Sequence, residues 1–266
     1  MKRSPVVNRR FYYWVDILGM RGRTHSAIVI KRAPYREADE VLTCWSWDIG
    51  KIRLLARGVR KNESRLKGAL SPLAWLEFDV VPSDHLPIIA GVRRVASYSR
   101  AGRDLKRVAL VFTIFEMILR ATPDRQPVRN VSLLLRSALD QLSQDGPVAS
   151  EFLLVFRYRL LSALGYQPRF DRCSSCGRSL KSEPSRWSPS WHGIVCERCA
   201  LGLERISILP AVGVEFFTAL ENSTEVFPQV MLDSNLEPLL EGWLGGVFQT
   251  IIERSLNSSP FLVKHA

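Results

Sequence analysis

The feature that most constrains this chain is a pair of C-x-x-C motifs in its second half. Cys173 and Cys176 form the first motif, Cys196 and Cys199 form the second, and 19 residues lie between them. Each motif places two thiolates on one tight turn, and two such turns can close a tetrahedron of sulfur around Zn²⁺. The pattern therefore predicts one zinc ion per chain. Two disulfides, a redox-active C-x-x-C pair and four unligated thiols are the alternatives for the same spacing.

The predicted zinc is structural rather than catalytic, because four cysteine ligands leave no coordination position for a reactive water. His192 is near in sequence, but with four cysteines present it is expected at the surface. The fifth cysteine, Cys44, falls in an apolar segment and is expected to be an inert buried thiol. An odd number of cysteines in tight pairs does not suit a secreted disulfide framework, so we expect a reducing, cytoplasmic location.

Positive charge is concentrated towards the N-terminal end. The chain has 37 Lys and Arg against 26 Asp and Glu, a net charge of +11. Residues 1–100 hold 19 basic and 9 acidic residues, whereas residues 201–266 hold 3 and 8. This asymmetry predicts a polyanionic partner for the N-terminal part, with nucleic acid first and anionic lipid second. A basic surface without a specific partner is the plainer explanation.

Residues 24–100 show the period-two alternation of short strands, with a turn at Asp48-Ile49-Gly50. The alternating segments are 26–32, 41–47, 51–57, 75–80 and 88–95. Five strands in a segment this short indicate a small closed β-barrel, for which the OB-fold is the five-stranded candidate.

After residue 100 the apolar positions recur with the period of a helix. The predicted helices are 103–121, 131–142, 148–164, 211–221 and 236–256. The predicted fold class is α+β, with an N-terminal OB-fold β-barrel followed by an all-α helical domain that carries an inserted four-cysteine zinc-binding module. The predicted bounds are 1–22 for a basic N-terminal extension, 23–100 for the barrel, 101–170 and 201–266 for the two parts of the helical domain, and 171–200 for the zinc module. The extension is expected to be a disordered arm outside the core fold, or to reflect a start at Met20.

The most basic run of the chain lies on the third predicted strand and the loop that follows it. Its seven cations are Lys51, Arg53, Arg57, Arg60, Lys61, Arg65 and Lys67, and Glu63 is the one acid among them. A strand face with a cationic loop can hold the phosphates of a nucleic acid without reading its bases. A solvated loop is the alternative.

Aromatic side chains for base stacking are harder to assign from sequence. Trp45, Trp47, Trp75 and Tyr35 all lie in the predicted barrel. Most aromatic residues of a small barrel fill its interior, and stacking needs an exposed ring. The sequence leaves open which of these rings could meet a base.

Signatures of catalysis are missing from the sequence. It contains no G-x-x-x-x-G-K-[ST] phosphate loop, no G-x-G-x-x-G turn, no G-x-S-x-G elbow and no H-E-x-x-H helix. The apolar stretches at 108–119 and 206–220 are too short for a membrane span and carry Glu116 and Glu215. We therefore expect a protein that is not an enzyme and has no membrane partner.

The order of these parts, together with several short motifs, resembles the RecO family of bacterial DNA repair proteins. The matching runs are Tyr35-Arg36-Glu37-Ala38-Asp39 with Leu42-Thr43, Gly50-Lys51, Ala56-Arg57-Gly58-Val59-Arg60 and Ser64-Arg65-Leu66-Lys67-Gly68-Ala69-Leu70-Ser71-Pro72. The two C-x-x-C pairs occupy the place that the family gives them, and the resemblance extends over residues 24–255.

The resemblance implies a recombination mediator that acts without catalysis. Such a protein binds single- and double-stranded DNA and anneals complementary strands. With a RecR-type partner it helps a RecA-class recombinase to displace single-strand-binding protein, and its location is cytoplasmic and nucleoid-associated. The family has a basic run near its C-terminal end, which the tail 258–266 lacks.

A second partner site is predicted between the helices of 103–165. Four arginines lie there, namely Arg103, Arg107, Arg157 and Arg159. A hydrophobic groove beside them would suit the acidic, hydrophobic C-terminal tail of single-strand-binding protein.

Two other functions are compatible with the sequence. A zinc-ribbon protein that binds RNA or the ribosome would use the same cations on structured RNA. A protein-interaction adaptor would dock its partners on the helical domain and the acidic tail, and its DNA binding would be incidental.

Overall fold

The computed structural model describes residues 24–257, with gaps at 71–72, 167–168, 181–184, 192, 229–231 and 234. The N-terminal extension predicted over 1–22, the surface position predicted for His192 and the tail 258–266 lie outside the described residues. Eight strands and seven α-helices lie within the described part. The strands are β1 (Thr24–Pro34), β2 (Glu40–Ser46), β3 (Gly50–Ala56), β4 (Ala74–Val81), β5 (Ile88–Ser97), β6 (Ser185–Ser188), β7 (Gly193–Val195) and β8 (Ser207–Leu209). The helices are α1 (Arg65–Ala69), α2 (Leu105–Ala121), α3 (Arg129–Ser143), α4 (Phe152–Ala163), α5 (Glu197–Ala200), α6 (Ala211–Asn222) and α7 (Leu236–Asn257).

Strands β1 to β5 form a closed barrel in the order β1-β2-β3-β5-β4. All neighbours are antiparallel except β3 and β5, which pair in parallel at Leu55 and Ile88. The register shifts between Val29 and Lys31 on β1, and twice between β4 and β5, where the extra residues lie on β5. Such bulges increase the local bend of a strand and help a sheet of five strands to close. The OB-fold barrel predicted from sequence is confirmed.

The alternating side chains of the strands fill the barrel interior. Leu42, Leu54, Leu76 and Phe78 are fully buried there, and Cys44 lies among them as predicted. Burial raises the pKa of the Cys44 thiol, because the interior cannot solvate a thiolate. The short helix α1 carries the last two residues of the basic run, Arg65 and Lys67, and its Leu66 packs against the same core.

The turn between β2 and β3 brings the barrel against the loop that follows α2. Gly50 has a φ of +76°, and a Cβ at this position would lie 2.1 Å from the backbone oxygen of Gln126. Only glycine permits both this backbone conformation and this approach. Beside it, the Nε1 of Trp45 donates to the Oγ of Ser132 at 2.9 Å. The segment after α2 is therefore fixed to the turn end of the β2–β3 hairpin.

The chain forms two compact units. The first comprises residues up to Ser132 together with Leu139–Gln144, and the second comprises Leu133–Ala138 and everything from Asp145. The sequence assigns α2 to the helical domain, whereas the structure groups it with the barrel. Lys51 and Trp45 of the barrel hydrogen-bond to Leu119, Thr122 and Ser132, which agrees with that grouping.

The second unit contains α4 to α7 and a three-stranded antiparallel sheet in the order β7-β6-β8. Aromatic rings form the centre of this unit. Phe217 lies 5.2 Å from Tyr158, 5.3 Å from Phe170 and 5.5 Å from Trp243, measured between ring centroids. Trp187 of β6 meets Trp243 of α7 edge-on at 6.0 Å, which anchors the small sheet on the helices.

The predicted long helices are all present. Helix α4 begins at Phe152 rather than 148, and the structure adds α1, α5 and the strands β6 to β8 to the elements expected from sequence. No helix of the described part is both long and apolar enough to cross a membrane.

Candidate metal centre and nucleic-acid interface

The four cysteines of the two C-x-x-C motifs meet in the second unit. The sulfur atoms of Cys173, Cys176, Cys196 and Cys199 all lie within 4.8 Å of one another. Cys173 and Cys196 are buried, Cys199 is half-buried and Cys176 is exposed. The cluster is therefore buried on one side and faces solvent on the other.

Two tight backbone turns hold the sulfurs in place. In the first, Gly177 N donates to the carbonyl of Cys173 at 2.9 Å, and Gly177 takes a φ of +74°. In the second, Cys196 precedes helix α5, and Ala200 N donates to the carbonyl of Cys196 at 2.9 Å. These turns are what C-x-x-C spacing provides, since each brings the second thiol back beside the first.

The two turns are also bonded to each other. Ser174 N donates to the carbonyl of Ile194 at 2.8 Å, and Cys196 N donates to the sulfur of Cys173 at 3.3 Å. Gly193 makes this approach possible, because a Cβ there would lie 2.1 Å from the Oγ of Ser174. These hydrogen bonds place the two turns, and the cysteines that they carry, next to each other.

Backbone hydrogen bonds shift the pKa values of the thiols. Burial opposes ionisation of Cys173, but N–H groups of Cys176, Cys196 and Ser175 outweigh it and lower the pKa to about 6. The N–H of Cys199 similarly lowers the pKa of Cys196. A hydrogen bond with Ser175 favours the Cys199 thiolate. The sulfurs of Cys196 and Cys176, however, accept a hydrogen bond from the Cys199 thiol, which favours the protonated form and raises the pKa of Cys199 to about 11. The backbone N–H groups thus favour the thiolate forms of Cys173 and Cys196, and thiolates are the form that binds a metal cation.

The donor set suits a soft, tetrahedral metal ion. Zinc–thiolate bonds of about 2.3 Å in a tetrahedron place neighbouring sulfurs about 3.8 Å apart. The sulfurs of Cys176 and Cys196 are 3.9 Å apart. Four thiolates at this spacing could hold a metal ion of the Zn²⁺ class and would leave no ligand position for water or substrate.

Of the seven cations predicted to bind nucleic acid, Lys51 has an intramolecular role instead. Its Nζ donates to the carbonyls of Leu119 and Thr122 at 2.9 and 2.6 Å and lies 3.3 Å from Asp124. The side chain is only 13% exposed. Lys51 satisfies the last carbonyls of helix α2, a position where a cation also complements the helix dipole.

The other six predicted cations lie on the surface of the first unit. They are Arg53, Arg57, Arg60, Lys61, Arg65 and Lys67. Arg53 lies 3.7 Å from the carboxylate of Asp124 and is 59% exposed. Within the described part of the chain, the side chains of the other five have no ion-pair partner. Their charge is therefore available to an external anion.

Two hydrogen bonds from backbone N–H groups fix the position of the basic loop, which we define as residues 57–64. Gly58 N donates to the carboxylate of Asp39 at 2.8 Å, and Arg60 N donates to the carbonyl of Ala38 at 3.0 Å. The β1–β2 loop, residues 35–39, therefore pins the basic loop to the barrel. The Asp39 carboxylate is held by the backbone N–H of Gly58.

The sequence missed Asp39 as a positioning residue, and it missed the exposed cation Lys31 on β1. Lys31 of β1, Thr43 of β2 and Arg53 of β3 are direct register partners, so their side chains share one face of the barrel. The bulge after Val29 breaks the alternation of β1, so a period-two pattern in the sequence does not place Lys31 on the same face as Arg53. For Asp39, its place in the Tyr35–Asp39 run is the one available signal.

The aromatic residues of the barrel divide clearly by burial. Trp45 is fully buried, and Trp75 is 4% exposed and hydrogen-bonded to Ser26. Trp47 is half-buried against Trp75, with 5.8 Å between the ring centroids. Tyr35 is 45% exposed. Of the four rings considered from sequence, only that of Tyr35 is an exposed one.

Two of the arginines predicted to bind a partner lie in the first unit. Arg107 is buried, and its Nε donates to the carbonyl of Leu142 at 2.9 Å. It also binds Asp104, which accepts the Arg107 backbone N–H as the N-cap of α2. Arg103 is exposed and donates to the carbonyl of Gln144 at 2.7 Å. Arg107 therefore joins helices rather than presenting charge at the surface.

The other two arginines, Arg157 and Arg159, lie on α4 in the second unit. Arg157 forms an ion pair with Glu241 of α7, and its side chain is 14% exposed. Arg159 donates to the carbonyl of Glu225 at 2.8 Å. Both arginines have intramolecular partners, so charge reversal of either would disturb the packing of this unit as well as any external ligand.

Two family models together match most of the chain. Residues 20–98 match the family model described as Recombination protein O N terminal, and residues 102–241 match the model described as Recombination protein O C terminal.

Three relatives illustrate how far the similarity extends. The DNA repair protein RecO of Geobacter sulfurreducens is 33% identical over 242 residues, which cover 89% of this chain and 95% of that protein. The proteins of the same name from Geobacter metallireducens and Myxococcus xanthus are 29% and 28% identical over 91% and 90% of this chain. These matches cover 98% and 96% of the two relatives. The chain therefore belongs to the RecO family of DNA repair proteins.

Proposed function

We propose that the four-cysteine cluster binds one structural Zn²⁺ per chain. The proposal is supported by four sulfurs that all lie within 4.8 Å of one another, on two turns that are bonded to each other. The metal would be held by Cys173, Cys176, Cys196 and Cys199 and would cross-link the two turns. Protein purified without chelator should contain about one equivalent of zinc. A content below about half an equivalent in folded protein would contradict the proposal.

The zinc assignment has a sharper test in single variants. Cys173→Ser should lose the metal, whereas Cys44→Ser should retain it, because Cys44 lies in the barrel core of the other unit. Metal content by atomic emission and the thermal stability of each variant separate loss of a ligand from general misfolding. Retention of zinc by Cys173→Ser would overturn this ligand set.

We infer that the protein is a recombination mediator that binds single- and double-stranded DNA in DNA repair. The observation that carries this inference is a group of five exposed cations on the basic loop and helix α1 of a RecO-family chain, none of which has an ion-pair partner among the described residues. They are Arg57, Arg60, Lys61, Arg65 and Lys67. Phosphate contacts of this kind supply affinity without sequence preference, which a mediator acting at any damaged site requires.

Strand annealing follows from the same electrostatics. Two complementary strands repel each other through their phosphates, and a cationic surface that holds both of them offsets this repulsion and raises their local concentration. Family membership supports the remaining parts of the proposal. These are a RecR-type partner, an interaction with the C-terminal tail of single-strand-binding protein, and assisted loading of a RecA-class recombinase. The location that fits these partners is the bacterial cytoplasm at the nucleoid.

We also propose that the protein is not an enzyme. The proposal is supported by the absence of catalytic motifs in the sequence and by a cysteine cluster with no open ligand position. Incubation of labelled single-stranded and duplex DNA with the protein and Mg²⁺ should leave the length and termini of the DNA unchanged. Cleavage or ligation that copurifies with the intact chain would refute the proposal.

Charge reversal of three loop and helix residues tests DNA binding. The variant carries Arg57→Glu, Arg60→Glu and Arg65→Glu. If the five unpaired cations each contact one phosphate, the slope of log K against log salt for single-stranded DNA is about −3.5, and two contacts would leave about −1.4. Fluorescence anisotropy at several salt concentrations measures both slopes.

A matched control reverses the same number of charges elsewhere in the first unit. It carries Arg120→Glu, Arg125→Glu and Arg129→Glu, which alter exposed residues around α2 and α3. The control should bind DNA nearly as well as the unaltered protein. Unchanged affinity in the loop variant, with its fold intact, would exclude the proposed interface.

The annealing assay separates the proposed mediator from its alternatives. Complementary strands precoated with the cognate single-strand-binding protein should anneal faster with the protein, and the effect should decrease with salt. Tighter binding to structured RNA than to DNA would favour the RNA-binding alternative. Partner capture that persists in the loop variant, without any annealing by the unaltered protein, would favour the adaptor.

A further inference from the structure

The β1–β2 loop presents one aromatic ring to solvent beside the basic loop. Tyr35 is 45% exposed, although three tryptophans of the same barrel are buried or half-buried. A tyrosine normally buries much of its apolar ring, so an exposed ring at the start of the β1–β2 loop has little to do with the stability of the barrel core.

Hydrogen bonds fix the position of this tyrosine relative to the cations. Tyr35 N donates to the carbonyl of Asp39 at 3.1 Å, which closes the loop of residues 35–39. Asp39 in turn accepts the N–H of Gly58, and Ala38 accepts the N–H of Arg60. Gly58 takes a φ of +62°, a conformation that permits this N–H to reach the carboxylate. Three hydrogen bonds therefore connect the loop that begins at Tyr35 to the first residues of the basic loop.

A guanidinium covers part of the ring. The Cζ of Arg36 lies 5.4 Å from the centroid of the Tyr35 ring, within cation–π range. This contact restricts the ring without burying it, which reduces the entropy that a ligand would have to overcome. It also places a positive charge beside the ring.

We propose that Tyr35 stacks on an unpaired nucleobase of a single strand whose phosphates contact Arg57 and Arg60. Every base offers a π-face, so the contact would be independent of sequence. Bases inside a duplex are already stacked, so the ring would favour single-stranded over double-stranded DNA. This inference rests on the proposed DNA binding and adds to it the group that distinguishes the two forms.

The test compares Tyr35→Ala with Tyr35→Phe and Tyr35→Trp in the full-length protein. Fluorescence anisotropy measures the affinity for a dT oligonucleotide, for a duplex and for the same single strand with abasic sites. Tyr35→Ala should weaken binding to the dT strand about tenfold, since loss of one base–aromatic stack has an effect of that order. Tyr35→Phe and Tyr35→Trp should retain the affinity, and duplex affinity should stay within about twofold for all three.

Two readouts distinguish stacking from a structural role of Tyr35. On the abasic strand, unaltered protein and Tyr35→Ala should bind equally, because the bases that the ring contacts are gone. The salt slope of Tyr35→Ala should equal that of the unaltered protein, since stacking neutralises no phosphate. Phe112→Ala serves as a control, because Phe112 is 65% exposed on α2 of the same unit.

Equal loss of affinity by Tyr35→Ala for intact and abasic strands would overturn the stacking assignment, and so would an equal loss for duplex. Unchanged affinity of Tyr35→Ala for the dT strand would overturn it as well. In each case, weakened binding by the Arg57, Arg60 and Arg65 variant would leave the proposed DNA interface in place. Normal binding by that variant would instead remove the interface itself.

Discussion

Lys51 provides the strongest test of the assignment of cations, because sequence and structure give it different roles. The substitution Lys51→Met keeps most of the aliphatic stem and removes the ammonium group. Two hydrogen bonds to the carbonyls of Leu119 and Thr122 are lost, and each hydrogen bond to a charged group contributes about 1.5–3 kcal/mol. Water can reach the site in part, because the side chain is 13% exposed. We therefore expect a loss of about 3 kcal/mol in the free energy of unfolding.

Thermal unfolding of the two proteins measures this loss. For a unit of this size, about 3 kcal/mol corresponds to a decrease in Tm of roughly 10 °C. The matched control is Arg53→Met, whose ion pair with the same Asp124 is longer and largely exposed. Exposed pairs contribute about 0.2–1 kcal/mol, so this control should lower Tm by no more than about 3 °C.

DNA binding by the folded fraction of Lys51→Met decides between the two roles. A lysine that caps helix α2 should leave the salt slope of DNA binding unchanged. Lys51 would instead be a phosphate contact if Lys51→Met is as stable as Arg53→Met and the slope of log K against log salt becomes less steep by about 0.7, the value for one phosphate contact. That result would refute the structural role.

Three further predictions concern local features. Gly193→Ala should weaken zinc binding and destabilise the module by about 1–3 kcal/mol, since its Cβ would overlap the Oγ of Ser174, and adding Ser174→Gly should restore the zinc content measured by atomic emission. The backbone N–H and guanidinium of Arg107 hold the pKa of Asp104 below its ordinary 3.8, so this cap stabilises the protein above that pH and loses its effect as the pH falls through the lowered value. Asp104→Asn should accordingly reduce the dependence of Tm on pH below about pH 4, and an unchanged dependence would contradict the cap assignment. Cys44 should resist a thiol reagent until the protein is unfolded by denaturant, and rapid labelling in the native state would show that the barrel core is open.

Local patterns were sufficient to predict most of the fold. Strand alternation and the Asp48-Ile49-Gly50 turn define the barrel because each strand has one face towards a single core. The strands β6 to β8 were not predicted, since segments of three or four residues are too short to show a period. Helix α1 is likewise short, and its basic residues mask the apolar contact of Leu66.

The metal cluster was predictable because its chemistry depends on spacing along the chain. The roles of individual cations were not, because they depend on what the fold places opposite them. Lys51 and Arg57 belong to one basic run, yet Lys51 meets the end of a helix about 70 residues later, whereas Arg57 meets solvent. Arg107 shows the same limit, since Leu142 and Gln144 reach it only through the packing of α2 and α3.

The four-cysteine module is held by two sets of contacts that respond differently to loss of the metal. The sheet is anchored by Trp187, which is 2% exposed and packs on Trp243. Trp243 in turn contacts Phe170 and Phe217, and none of these contacts involves a sulfur atom. The turns that carry the cysteines have only a few backbone hydrogen bonds of their own and are exposed at Cys176.

Removal of the metal should therefore open the module locally rather than unfold the second unit. We expect chelator to increase amide hydrogen exchange at residues 173–178 and 196–200, while the amides of α6 and α7 remain protected. A loss of protection throughout α6 and α7 would show that the proposed zinc supports the aromatic core as well. The aromatic contacts argue against that outcome, because buried rings already join the sheet to both helices without the sulfurs.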